Sequence, residues 1–219
     1  MRGSTVAEKS LFGYSIILIL LFAAAQGCNL LVPFAFLGEH KRDVPAEFDN
    51  LRGKRVVILV WAQPATMFDY PHIRLELASY IGDRIESAVK ECEIVAGERV
   101  EELIERDLDA MIDPKKSGTH FQADMVVYIE LLEFQVRDPE TPDLLHGHIH
   151  ANVSVYDLAA EPDELDRFVL APIEVRYPDS PVILSARNAL LVRQQLYQVF
   201  AEKAATKFFK HQVDLEDAE

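Results

Sequence analysis

The chain has 219 residues, 49% of them hydrophobic and 26% charged, with a net charge of −14. That composition suits one globular domain with a core of its own and excludes a disordered protein. The first 27 residues carry net +1, which leaves −15 on the rest. A surface so acidic repels nucleic-acid phosphates, which excludes nucleic-acid binding, and disfavours broad electrostatic adhesion to anionic lipid.

From Ser10 to Gly38 no residue is charged. Arg2 and Lys9 form a short basic region, Tyr14 to Ala25 an apolar one, and small residues lead into Gly27 and Cys28. This order resembles a bacterial lipoprotein signal peptide. The resemblance implies cleavage after Gly27, lipid (diacylglycerol, palmitate) on Cys28, and attachment to a membrane of the cell envelope through that lipid. A second reading stays open. About 20 apolar residues span a bilayer, and the run is long enough to be an uncleaved single-pass helix. Lys41, Arg42, Arg52, Lys54 and Arg55 after it lean that version towards a cytoplasmic domain. With only Cys28 and Cys92 there is no disulfide framework, and Cys92 reads as a small buried hydrophobe.

Glu39 to Asn50 reads as a linker. Val56 to Ala62 (VVILVWA) is a continuous β-branched run, the pattern of a strand covered on both faces. Gln63-Pro64 ends it. Asp69 and Pro71 open a helix reaching about Lys90, with Ile73, Leu77, Ile81, Ile85 and Ala88 on one stripe. Cys92 to Ala96 is a short second strand. A second helix follows Gly97, with Val100, Leu103, Ile104, Leu108, Met111 and Ile112 at helical spacing. Asp113 to Gly118 reads as a loop.

Asp124 to Arg137 is a long strand, and Asp138 to Asp143 a turn. In Leu145 to Tyr156 the parity is clean: Ile149, Ala151, Val153 and Val155 face one way, and His146, His148, His150, Asn152 and Ser154 the other. Glu161 to Asp166 is an acidic turn. Phe168 to Tyr177 is an edge or bulged strand because of Pro172. Pro178 to Pro181 breaks the chain, and a helix runs from about Leu184 to Lys210 with Leu190, Tyr197, Ala201, Ala204 and Phe208 on its stripe. The expected fold is α/β (α+β): a mixed sheet of about five strands, order βαβα-βββ-α, with helices packed on it. The expected division is a signal peptide (1–27), a membrane-proximal apolar segment and linker (28–50), the α/β domain (51–212) and an acidic tail (213–219).

Four local patterns carry a family resemblance. Lys54-Arg55 precedes the apolar first strand, and Glu93-Ile94-Val95 passes through a short polar turn into the helix at Gly97. Ala123-Asp124-Met125-Val126-Val127-Tyr128 opens a later strand, and Val153-Ser154-Val155-Tyr156-Asp157 closes another. Over residues 51–157 the chain resembles the α/β domain shared by the curli-secretion channel lipoprotein, the lipoprotein activator of penicillin-binding proteins and the N-terminal domain of the Tol system's propeller protein. The resemblance implies a periplasmic domain that binds or assembles with a protein partner. It carries over no active site and no cofactor.

The sharpest chemical candidate is His146, His148 and His150, neighbours about 6.5–7 Å apart on one strand face. Such histidines can share a zinc ion, with His120 or Glu133 as helpers, or form a pH-responsive patch. A solvated polar strand face is the plainer reading. Glu130, inside an apolar strand, would pair with an arginine or face a groove. No Gly-rich phosphate loop, GxSxG elbow or CxxC pair is present, and Cys92 has no base beside it in sequence. The expectation is a non-enzyme. Its partner surface would lie at the exit of the first strand, Gln63 to Asp69, where open α/β sheets bind ligands and where Trp61 and Tyr70 stand.

Overall fold

The computed structural model describes residues 41–160 and 166–214. The apolar run with Gly27 and Cys28, most of the acidic turn after Ala160, and residues 215–219 lie outside the described residues. The described chain forms two compact units, Val44–His211 and a small one containing residues 41–43 and 212–214. β1 (Lys41–Val44) and β7 (His211–Asp214) form a two-stranded sheet, and Gln212 Nε2 donates to Asp43 Oδ1 at 3.0 Å. The linker and tail of the sequence reading therefore contribute strand.

The larger unit is built on a five-stranded sheet of order β3-β2-β4-β5-β6. Its strands are β2 (Arg55–Trp61), β3 (Glu93–Ile94), β4 (Met125–Arg137), β5 (Leu144–Asp157) and β6 (Arg167–Ile183). β2 runs parallel to β3 and β4, while β4, β5 and β6 form an antiparallel meander. Helices are α1 (Pro64–Asp69), α2 (Ile73–Ala88), α3 (Gly97–Arg106), α4 (Asp109–Ile112), α5 (Pro114–His120) and α6 (Ala186–Ala205). This is the mixed α/β architecture expected from the sequence.

The continuous apolar run of β2 has its reason in the layers. Val56, Ile58 and Val60 belong to a core with Leu77, Ile81 and Ile85 of α2 and Leu196 and Phe200 of α6. Val57 and Leu59, of opposite parity, belong to a second core with Val100, Ile104 and Phe121. β5 turns Ile149, Ala151, Val153 and Val155 into the first core, where they are fully buried, while its other face is covered only towards its end, where Ser154 is buried and Tyr156 packs on the second core. The alternation read in the sequence is this one-sided cover.

Several boundaries differ. The second helix divides at Asp107, whose carboxylate accepts the Asp109 N–H at 3.2 Å and restarts the chain as α4. Leu108 and Ile112, placed on the apolar stripe by spacing, are exposed. Pro114 to Gly118 is helix, not loop. Asp113 accepts the N–H groups of Lys115 and Lys116, and Pro114 sits in the first turn, so capping builds a helix that has no apolar stripe to announce it. Pro178 to Pro181 does not end the strand. Gly147 pairs with Tyr177 and Leu145 with Val182, so the prolines fall in an excursion on an edge strand, where lost N–H donors go unmissed. The last helix ends at Ala205, passing into a 3₁₀ turn, Thr206–Phe208.

A strap precedes β2. Phe48 N donates to Lys207 O at 3.0 Å, and Phe48 and Leu51 are buried in the first core. One Glu47 oxygen pairs with Lys207 Nζ at 2.7 Å, and the other accepts Ala171 N of β6 at 2.9 Å.

Candidate functional site

β2 stops at Trp61, opposite Glu130, but β4 continues to Arg137 with β5 on its other side. Pro64, which has no N–H to donate, begins α1 in place of a further rung. Where β2 would have continued there is an open cleft of about 1110 Å³. Its floor is lined by consecutive residues from Leu132 to Pro139. Successive strand residues point to opposite faces, so a space touched by both parities is bordered by the strand's edge. Gln63 Nε2 donates to Leu132 O at 3.2 Å, which shows one backbone acceptor of that edge turned to this side.

One wall is Thr66, Asp69 and Tyr70, and the other is Ala186, Ala189, Leu190 and Arg193 of α6. Ser185 caps α6 by accepting Asn188 N at 3.1 Å, which fixes where that wall begins. Tyr70 meets Phe134 edge to face, with ring centroids 4.8 Å apart. The Arg193 guanidinium carbon stands 6.0 Å from the Tyr70 ring centroid, within cation–π range. Its Nε is buried with no hydrogen-bond partner among the described residues. Burial, and then the Asp69 carboxylate, push the Tyr70 phenol up, against the pull of Arg137 and Arg193.

The other cleft acids are engaged. Asp138 accepts the N–H groups of Thr141 and Glu140 at 2.8 and 3.0 Å, and these bonds, with His146, hold it below the usual carboxylate range. Glu133 Oε2 is 3.3 Å from His148 Nδ1. Neither Arg137 nor Arg193 has a carboxylate partner among the described residues. On a chain of net charge −14, two such arginines beside an aromatic pair are a local exception. Phe68 of α1 is 86% exposed, and Leu190, assigned to the apolar stripe by its spacing, is 48% exposed on the cleft wall.

The histidine strand is on β5, on the parity read from the sequence. His148 Nε2 is 3.1 Å from Glu174 Oε1, so its two nitrogens face carboxylates of β4 and β6 on either side. Arg176 also donates to Glu174 at 3.0 Å and, with His148, keeps that carboxyl low. His146 pairs instead with Asp138, at 3.6 Å. In register His150 stands opposite Glu133 and Glu174. Two of the histidines thus meet separate carboxylates and do not converge on one point. Among the described residues no group of three His, Cys, Asp or Glu is placed to hold a metal ion. His120 does not join the cluster; it sits on α5 against Phe121. Glu130 is half-buried and accepts Asn152 Nδ2 at 3.2 Å, so its partner is an amide and not an arginine. Cys92 is a buried free thiol, pushed up to about 11 by burial and then by Glu86, which suppresses the nucleophilic thiolate. Trp61 packs on the second core, whereas Tyr70 lines the cleft.

The cleft lies at the exit of β2, the place that the sequence offers as a candidate partner surface. Arg137 and Arg193 lie far apart in sequence and share no motif; the fold of β4 and α6 puts both on the lining of one cleft. Among the described residues no helix is long and apolar enough to cross a membrane. No protein-family model matches the chain, and no curated protein matches it in sequence. Among solved structures it is similar to the PelC dodecamer of Paraburkholderia phytofirmans, at 7% identity and a TM-score of 0.43, over 77% of this chain and 98% of that one. It is similar to the lipoprotein GNA1162 of Neisseria meningitidis, at 17% identity and a TM-score of 0.37, over 66% and 96%. It is also similar to the hypothetical protein CT253 of Chlamydia trachomatis, at 14% identity and a TM-score of 0.40, over 69% and 95%. Likeness at this level is partial and assigns no activity.

Proposed function

We propose that the chain is a membrane-anchored lipoprotein of the bacterial envelope whose α/β domain is a non-catalytic binding or assembly module. The cleft beside β4 carries the binding half of this reading. It is open, it pairs an aromatic contact with two arginines free of carboxylate partners, and exposed Phe68 and Leu190 stand on its walls and on α1. The anchor half rests on the sequence, with cleavage after Gly27 and lipid on Cys28. The resemblance of residues 51–157 to the curli-channel, penicillin-binding-protein activator and Tol propeller group supports a periplasmic place and a protein partner.

Two measurements test the halves separately. Mass spectrometry of the mature N-terminus should find an acylated Cys28 as the first residue. An unmodified Cys28 still preceded by residues 1–27 would establish the uncleaved single-pass alternative. Affinity capture from envelope extract should recover a partner with the wild-type chain and lose it with Leu190→Glu, a change at an exposed position. Capture indifferent to that change would remove the cleft from the reading.

A further inference from the structure

We infer that the cleft is a vacant strand position of the sheet, and that its occupant is an extended segment of a partner protein with alternating apolar and acidic side chains. The inference rests on the cleft being the binding site. A sheet edge offers a row of N–H and C=O groups at a fixed repeat, and an added strand is the occupant that satisfies them together. β4 from Leu131 to Arg137 gives about 20 Å of such edge at ~3.3 Å per residue, its repeat interrupted by register shifts between Leu131 and Glu133 and between Gln135 and Arg137. Gln63 already bonds the edge carbonyl of Leu132, next to where β2 ends, in the manner of an incoming strand's amide.

Side-chain chemistry around the edge sets the partner's pattern. On an added strand alternate residues turn to opposite faces. Those turned to Tyr70, Phe134 and Leu190 meet apolar surface. Arg193 and Arg137 also line the cleft, and the described residues leave both without an acidic partner, so a carboxylate of the occupant that reaches either finds a charged donor. A basic segment would meet these two cations, with Asp69, beside Tyr70, as a competing carboxylate on the α1 wall.

The chain's own run from Ser10 to Gly38 carries no acidic residue, which points to a partner as the source of an alternating acidic strand. Phe48 is fastened to Lys207, beyond the C-terminal end of α6, whereas Arg193 lies in that helix's N-terminal half. At ~1.5 Å per residue the two points are about 20 Å apart along α6.

The test uses the full-length chain in detergent micelles and a fluorescein-labelled, end-capped peptide of about eight residues, alternating valine and glutamate. Anisotropy should show binding. Replacing glutamate by lysine, methylating alternate backbone amides of the peptide, or changing Arg137→Gln or Arg193→Met should each weaken binding about tenfold or more. Arg137 is exposed, so its variant keeps the test valid if Arg193→Met folds poorly. Hydrogen exchange should slow within residues 132–137 when the peptide binds. Equal binding of the lysine or methylated peptide, or unchanged exchange at that edge, would overturn the inference. So would an edge already protected in the free chain, which would assign the place to the chain's own N-terminal segment, or a dimer that the peptide dissociates, which would assign it to a second copy. Failure of the peptide alongside partner capture that Leu190→Glu still abolishes would refute strand addition and leave the cleft reading intact. Failure of both would remove the cleft.

Discussion

Removing the charge of Glu47 should uncouple the strap from the rest of the larger unit. Lys207 is 7% exposed, so its ammonium has little water to fall back on, while Glu47 is 41% exposed. Losing one partner of a buried pair costs about 3–5 kcal/mol, and exposed pairs are worth about 0–1 kcal/mol. A half-exposed glutamate on a buried lysine belongs between them, at about 2 kcal/mol, or ~1 M in urea midpoint for a domain of this size. Burial alone would raise the Glu47 pKa, but the bonds from Lys207 and Ala171 outweigh it, and the carboxyl lies below its ordinary value. A carboxyl depressed in the folded state contributes stability above its unfolded value, about 4.3, and loses it as pH falls through the folded value. Urea titrations of wild type and Glu47→Gln should therefore differ by a constant amount from pH 7 to about pH 5 and converge below about pH 4. A gap that persists unchanged at pH 3, or no gap at pH 7, would refute the strap as an electrostatic fastening.

Gly147 lies where α6 crosses β5, and a Cβ there would stand 2.7 Å from Leu196 Cδ2 and 2.9 Å from the Tyr177 carbonyl oxygen. The backbone oxygen cannot rotate aside, so Gly147→Ala should lower stability by about 1–3 kcal/mol, read as a reduced melting temperature in calorimetry. Cys92, with its thiol pushed up to about 11, should resist iodoacetamide at pH 8 in the native chain and react in urea. Rapid native labelling, followed by peptide mass mapping, would show that the site is open.

Patterns local to one element were legible in the sequence. β2 and β5 could be read because burial on two faces and on one face leaves different periodicities in their own residues. α5 was missed because its stability is in the Asp113 cap and Pro114, and periodicity is blind to caps. The continuation of β6 past Tyr177 was missed because proline breaks central strands, and only the sheet order shows that β6 is an edge. The cleft follows the same rule. Its position at the strand exit is a property of parallel sheets and could be expected. Its character depends on β4 outrunning β2 and on Arg137 and Arg193 both lining it, which are facts of register and packing and not of composition.

The strap also decides how the larger unit would bear a load. A pull that passes the β1–β7 pairing is taken next by the Glu47–Lys207 pair, the Phe48–Lys207 backbone bond and the buried Leu51. These fasten to the end of α6 and, through Ala171, to β6. The cleft is bordered by β4 and the opposite half of α6. In a chain tethered at Cys28, tension would therefore run into the far end of the helix and leave the cleft outside the line of force. A partner held there could stay seated while the tether is drawn taut.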